Sequence, residues 1–265
     1  VLQDWAEAKA EAEEIYQGPL QLLQDHLYCK GLGLSIASCQ GRFPSSWQVE
    51  SWSSAQMLGI DVAIEVPIAR WDLNEFFDPN VDAWRDNKTF CRHAGFTEGI
   101  DLFDCRFFNI STAEARDMEP RQRMALEVSY ETLQRAGFRK SHLSSSTGGI
   151  YVGAENWSEW NPSREPSGSF TATGRASSIL AGRISYVLGL KGPAVALDTG
   201  DCSGLTAVYF GAKALQEDGF ATIPEFCCCL GTSMLLSGQR WPARQAAGLL
   251  TSSGRCFTFD CSATG

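Results

Sequence analysis

Apolar positions along this 265-residue chain follow two periods that take turns. Four short runs read as strands: "LGLSIAS" (32–38), "GIYVGAE" (149–155), "PAVALDT" (193–199) and "FCCCLGTSMLL" (226–236). Between them, apolar residues recur at helical spacing in "ESWSSAQML" (50–58), "SSILAGRISYVL" (177–188) and "CSGLTAVYFGAKALQ" (202–216). The stretch "MEPRQRMALEVSYETLQRAGF" (118–138) is the best punctuated helix, with Pro120 at its first turn and Gly137 just past its end. Strands alternating with helices predict an α/β fold, a mainly parallel sheet covered by helices on both faces. No repeat at a fixed period is visible.

Two segments fall outside that rhythm. Residues 2–17, "LQDWAEAKAEAEEIYQ", are rich in Ala, Glu and Lys and predict a helix; the Gly18–Pro19 pair ends it and starts a second helix whose Leu20, Leu23 and Leu27 share one face. Residues 1–30 are thus a helical extension, either packed on its own domain or docking another subunit. Residues 60–112 are dense in Trp, Phe, Pro, Asn, Asp and Gly. Linkers lack that many aromatics, so this is an ordered, loop-dominated excursion whose rings pack as core.

Composition narrows the function classes. Thirty-one acidic against 22 basic residues give a formal charge of -9 with no basic run, which argues against nucleic acid as a partner. No apolar run reaches the roughly 18 residues of a transmembrane segment. The ten cysteines are irregularly spaced in a long chain, so they read as reduced thiols of an intracellular compartment, cytoplasm or organelle interior. Cys227, Cys228 and Cys229 point alternately to the two faces of a strand and cannot build a tetrahedral cage alone; they read as small core residues. His26, His93 and His142 share no ligand-like spacing with a thiol, so neither a metal nor a cofactor is expected.

The stretch with chemical promise is "ALDTGDCSGL" (196–205), a strand that breaks at Gly200 and reopens as a helix. The mouth of such a helix offers unpaired N–H groups and the positive end of the dipole. Enzymes place nucleophiles there, and ordinary proteins place a capping Asp or Ser. From the local pattern alone both readings of Asp201 and Cys202 stand.

A set of motifs in order adds to this reading: "GRFP" (41–44), "VPIARWDLNEFFDPN" (66–80), "HAGFTEGIDLFDCRFFNISTAEARDMEPRQRMALEVSYETLQRAG" (93–137), "GIYVGA" (149–154), "AGRISYVLGLKGPAVALDT" (181–199) and "LTSSGRCFTFDCSATG" (250–265). Together they resemble the ketosynthase (beta-ketoacyl synthase) domain of modular polyketide synthases. The resemblance implies a thiolase-like fold of layered helices and sheets, of which residues 31–265 supply the N-terminal half. It also implies decarboxylative condensation of acyl thioesters carried on the phosphopantetheine of acyl carrier protein, and a homodimer around the strand before the nucleophile.

The resemblance breaks at the nucleophile. That family reads D-T-A-C-S-S-S-L or D-T-A-C-S-S-G-L, and the cysteine takes the acyl chain. Aligned without a gap, "DTGDCSGL" (198–205) puts Asp201 on the cysteine and Cys202 on the serine after it. Moving Cys202 into register turns it about 100° around the helix. A carboxylate attacking a thioester gives a mixed anhydride, more reactive than its precursor, so Asp201 does not replace a thiol; at a helix mouth it is expected to serve as a cap. The family's catalytic histidine and lysine motifs lie beyond "FDCSATG", and none of the three histidines present matches them. The expectation is a non-catalytic chain whose missing half-fold is covered by other protein chains. The alternatives are a structural subunit of a larger assembly and a fragment of an active synthase using Cys202.

Overall fold

The computed structural model describes residues 33–156, 158, 160, 168–216, 223–257 and 261. The helical extension at 1–30 lies outside the described residues. The elements, in chain order, are α1 (Val49–Met57), β1 (Ala63–Glu65), α2 (Leu73–Phe76), a 3-10 turn (Ala83–Asp86), β2 (His93–Gly95), α3 (Thr112–Asp117), α4 (Pro120–Arg135), α5 (Lys140–Leu143), β3 (Gly149–Ala154), α6 (Thr171–Arg175), α7 (Ser177–Leu188), β4 (Ala194–Leu197), α8 (Ser203–Ala214), β5 (Cys227–Thr232) and α9 (Trp241–Ala246).

A parallel sheet organises the chain. Its order is β4-β3-β5, with Val152 opposite Ala196 on one side and Leu230 on the other. The two-residue period of a strand divides its side chains between two layers. Ile150, Val152 and Cys228 enter one core with Leu126 of α4 and Leu180 and Ile184 of α7. Tyr151 enters the other, against Ala207 and Ala214 of α8, with Cys227 and Cys229 packed on it. Helices therefore cover both faces, and the three adjacent thiols divide between them. Burial pushes all three thiols up, Cys227 and Cys228 to about 12 and Cys229 to about 11.

α4 is the central strut. Pro120 at its first position supplies a pre-set φ, and Met118 and Leu126 are fully buried. At its start, Glu119 and Arg121 form a buried ion pair at 2.5 Å, with side chains 1% and 3% exposed. Arg121 Nη1 also donates to the Glu155 carbonyl at 3.0 Å. Gln122 Nε2 donates to the Thr173 and Ala176 carbonyls, which anchors α6 and the start of α7 to this helix. A buried pair held this way organises loops more than it adds stability.

The aromatic excursion builds a second core. β1 and β2 pair antiparallel, and Val66, Trp71, Cys91, Phe96 and Trp241 cluster beside them. Trp71 meets Phe96 and Trp241 edge-on at centroid distances of 5.7 and 5.4 Å, the geometry favoured by ring quadrupoles.

Two expectations change. Residues 33–38 form no strand, because neither edge of the described sheet pairs with them and Ile36 is left 48% exposed. An apolar run becomes a strand only where a neighbour takes its N–H and C=O groups. The run at 226–236 is strand only over Cys227–Thr232; beyond Thr232 no ladder partner continues among the described residues.

Candidate functional site

The carboxyl ends of β3, β4 and β5 lie at one edge of the sheet, where open α/β sheets place their ligands. The turn after β4 is closed by local hydrogen bonds. Asp198 Oδ1 accepts from the Gly200 N–H at 2.9 Å, and its Oδ2 accepts from the Asn156 N–H at 2.8 Å. These two backbone donors hold the Asp198 carboxyl below the usual carboxylate range, with a further contribution from Arg240. One side chain thus ties the end of β4 to the end of β3. Gly200 has φ +64°, the left-handed backbone that lets the chain reverse and enter α8.

α8 then crosses the sheet at close range. A Cβ on Gly153 of β3 would collide with the Ser203 carbonyl, and one on Gly204 would lie 3.2 Å from the Gly231 Cα of β5. Small residues Ser203, Ala207, Gly211 and Ala214 form the buried face of the helix. Its opposite side is apolar and open: Leu205 is 75% and Tyr209 57% exposed, with Val208 and Phe210 beside them.

The helix mouth is organised by Ser203, a residue that no sequence pattern singles out. Its Oγ accepts from the Thr199 N–H at 2.9 Å and donates to the Gly200 carbonyl at 2.6 Å. Thr206 Oγ1 meets Thr199 Oγ1 at 2.9 Å and donates to the Cys202 carbonyl at 3.0 Å. The D-x-G step at 198–200 is a visible signal for the Asp198 turn. Nothing comparable announces Ser203.

Asp201 and Cys202 are adjacent and exposed at the start of this helix. Cys202 occupies the N-cap position with φ −86° and ψ 0°, and no side chain caps the helix from there. The expectation that Asp201 caps α8 is therefore corrected: the carboxylate sits one residue too early, and the Ser203 hydroxyl closes the turn in its place. Of the histidines, His93 lies on β2 and His142 on α5, while His26 lies outside the described residues. Among the described residues no group of three or more His, Cys, Asp or Glu side chains is placed to hold a metal, and no helix is long and apolar enough to cross a membrane.

Solved ketosynthase structures share this fold. The family model described as "Beta-ketoacyl synthase, N-terminal domain" matches residues 34–265. The phthioceranic/hydroxyphthioceranic acid synthase of Mycobacterium tuberculosis is 34% identical over 217 residues, 80% of this chain and 10% of the relative. The mycocerosic acid synthase-like polyketide synthase of the same organism is 32% identical over 214 residues, 80% of this chain and 10% of the relative. Among solved structures, the ketosynthase from module 6 of the bacillaene synthase of Bacillus subtilis 168 matches at TM-score 0.74 and 28% identity, over 87% of this chain and 37% of that one. An oxazolomycin ketosynthase domain from Streptomyces albus JA3453 matches at TM-score 0.76 and 26% identity, over 87% and 39%. The chain thus spans a small part of the curated relatives and under two fifths of the solved domains. Its layered α/β architecture is thiolase-like, and the chain belongs to the beta-ketoacyl synthase family, residues 34–265 corresponding to the N-terminal domain of a polyketide-synthase ketosynthase.

Proposed function

We propose that this ketosynthase-type domain does not take an acyl chain as a thioester at the β4–α8 elbow. The reading rests on Asp201, an exposed carboxylate at the position that the resemblance, aligned without a gap, sets on the family's cysteine. Transfer of an acyl group from a thioester to a carboxylate forms an anhydride C–O bond and releases a thiolate, which runs energetically uphill. A fixed negative charge at that point also opposes the carbanion formed when a malonyl-type unit loses carbon dioxide. The domain is read as an accessory, ketosynthase-derived part of a polyketide or fatty-acid synthase, or of another multi-protein assembly. Acyl carrier protein with its phosphopantetheine arm is the partner the ancestry suggests.

Partner binding has its own support. β4 is an edge strand of the described sheet with Ala194 and Val195 exposed, and the outer face of α8 presents Leu205, Val208 and Tyr209 to solvent. An apolar helix face and an open strand edge call for cover, from the remainder of a longer protein, from a second copy or from another chain.

A second reading is favoured by one feature. Cys202 is exposed at the N-cap of α8, where a thiol can meet an incoming acyl thioester. One experiment separates the two: incubation with a radiolabelled acyl thioester followed by peptide mapping. Absence of label at residues 201 and 202 is the expected result; label on Cys202 would establish the second reading.

A further inference from the structure

A cavity of about 450 Å³ opens where β5 ends, between the turn at 41–44 and the strand end at 95–97. Its size falls within the roughly 300–1,000 Å³ of small-molecule sites. Phe43, Phe96 and Met234 give it apolar walls, the exposed Ser233 is among its lining residues, and two guanidinium groups, Arg42 and Arg70, line it.

The two arginines differ in how their charge is met. Arg42 Nη2 reaches Glu131 at 2.5 Å, and its Nη1 donates to the Trp47 carbonyl at 3.0 Å. That cation is matched. Arg70 lies over the Phe96 ring at 5.7 Å and donates from Nη2 to the Thr97 carbonyl. Among the described residues no carboxylate bonds to it, and its buried Nη1 has no acceptor. Burial lowers its pKa, offset only in part by the charge of Asp101. A half-buried guanidinium with no carboxylate bonded to it is costly to a fold, and a planar anion offsets that cost best. Apolar walls with a few convergent polar groups at the carboxyl end of a parallel sheet complete the description of a ligand site.

We infer that this cavity binds a small organic carboxylate, with its head on Arg70 and its aliphatic body against Phe43, Phe96 and Met234. Neither Asp201 nor Cys202 lines the cavity, so a ligand there is tested separately from acylation of the elbow. A guanidinium that lines the cavity suits a carboxylate, and the apolar walls favour a short chain over a bare inorganic ion.

The test is titration calorimetry of the full chain at low ionic strength with hexanoate, and with hexan-1-ol and inorganic phosphate in parallel arms. Saturable binding of hexanoate, weakened at least about tenfold by Arg70→Gln, is expected, while hexan-1-ol binds both proteins with the same weak affinity. Because Arg70 also bonds a main-chain carbonyl, its replacement is checked by circular dichroism. Should Arg70→Gln not fold, Ser233→Trp decides alone: it sets an indole at an exposed lining position of the cavity and abolishes hexanoate binding. The inference is overturned by no saturable hexanoate binding to the unaltered protein, by equal affinity in a folded Arg70→Gln, or by unchanged affinity in Ser233→Trp. Phosphate displacing hexanoate at equal concentration would overturn the assignment to a carboxylate.

Discussion

The two faces of the β4-β3-β5 sheet are built for different purposes. On the α4–α7 face, Leu126, Ile150, Val152 and Ile184 have no measurable exposure, and large side chains fill the layer. On the α8 face, glycine and alanine replace bulk, so the helix backbone lies almost on the strands. The first face holds the fold together, each buried aliphatic contributing about 1.5–3 kcal/mol. The second gives up side-chain volume to fix where a helix begins. Beyond it, the outer side of α8 stands open to solvent among the described residues. The contrast separates the residues that stabilise the domain from those that aim its candidate site.

Substitutions can break or sharpen that contrast. The largest effect is expected on the filled face: Ile184→Ala should cost about 2–5 kcal/mol, read as a lower urea midpoint with an unchanged slope. Gly153→Ala tests the other face. Its Cβ meets the Ser203 backbone rather than a movable side chain, so a loss of about 1–3 kcal/mol is expected. The same variant should alter the amide resonances of residues 199–204, which Ile184→Ala should leave in place. Ser203→Ala removes an acceptor and a donor at the helix mouth and should cost about 1 kcal/mol. Leu205→Ala, on the exposed side of α8, should stay within about 0.5 kcal/mol in the chain alone.

Chemistry divides the molecule along the same line. Cys228, its thiol held at about 12 by burial on the filled face, should alkylate with iodoacetamide at pH 8 at least about a hundredfold more slowly than an exposed peptide thiol. The exposed Cys202 should be modified well before it, as read by timed peptide mapping. At the elbow, Asp198 is stabilised as the carboxylate in the folded chain. Its folded pKa is depressed, so its contribution is fully present above the ordinary carboxylate value of about 3.9 and is lost as pH falls below that toward the folded value. Acid titration followed by circular dichroism should show this loss, and Asp198→Asn should flatten that limb.

Much of the fold is legible in the sequence because period and punctuation are local properties. Pro120 and Gly137 mark α4, and the alternation of three thiols at 227–229 announces a strand with two buried faces. What local pattern does not supply is partnership. The run at 33–38 has the apolar content of a strand and no neighbour in the described sheet. Gly153, Gly204 and Gly231 converge only once the chain is folded. At the candidate site, the strand, the glycine turn and the position of Asp201 are readable. The closing role of Ser203 is not, since a serine inside a helical pattern carries no mark of what its hydroxyl reaches. The assignment of the cap to Asp201 fails for that reason: side-chain chemistry suggests it, and the backbone places the helix start one residue later.

The central claim is that position 201 lacks the group that forms an acyl thioester. Its most direct measurement is mass-spectrometric peptide mapping after incubation of the full chain and its Asp201→Cys variant with an acyl-N-acetylcysteamine thioester. The account predicts no acyl mass on the elbow peptide of the natural sequence, and an acyl mass at position 201 once Asp201→Cys has introduced a thiol there. An acyl group on Cys202 of the natural sequence would contradict it.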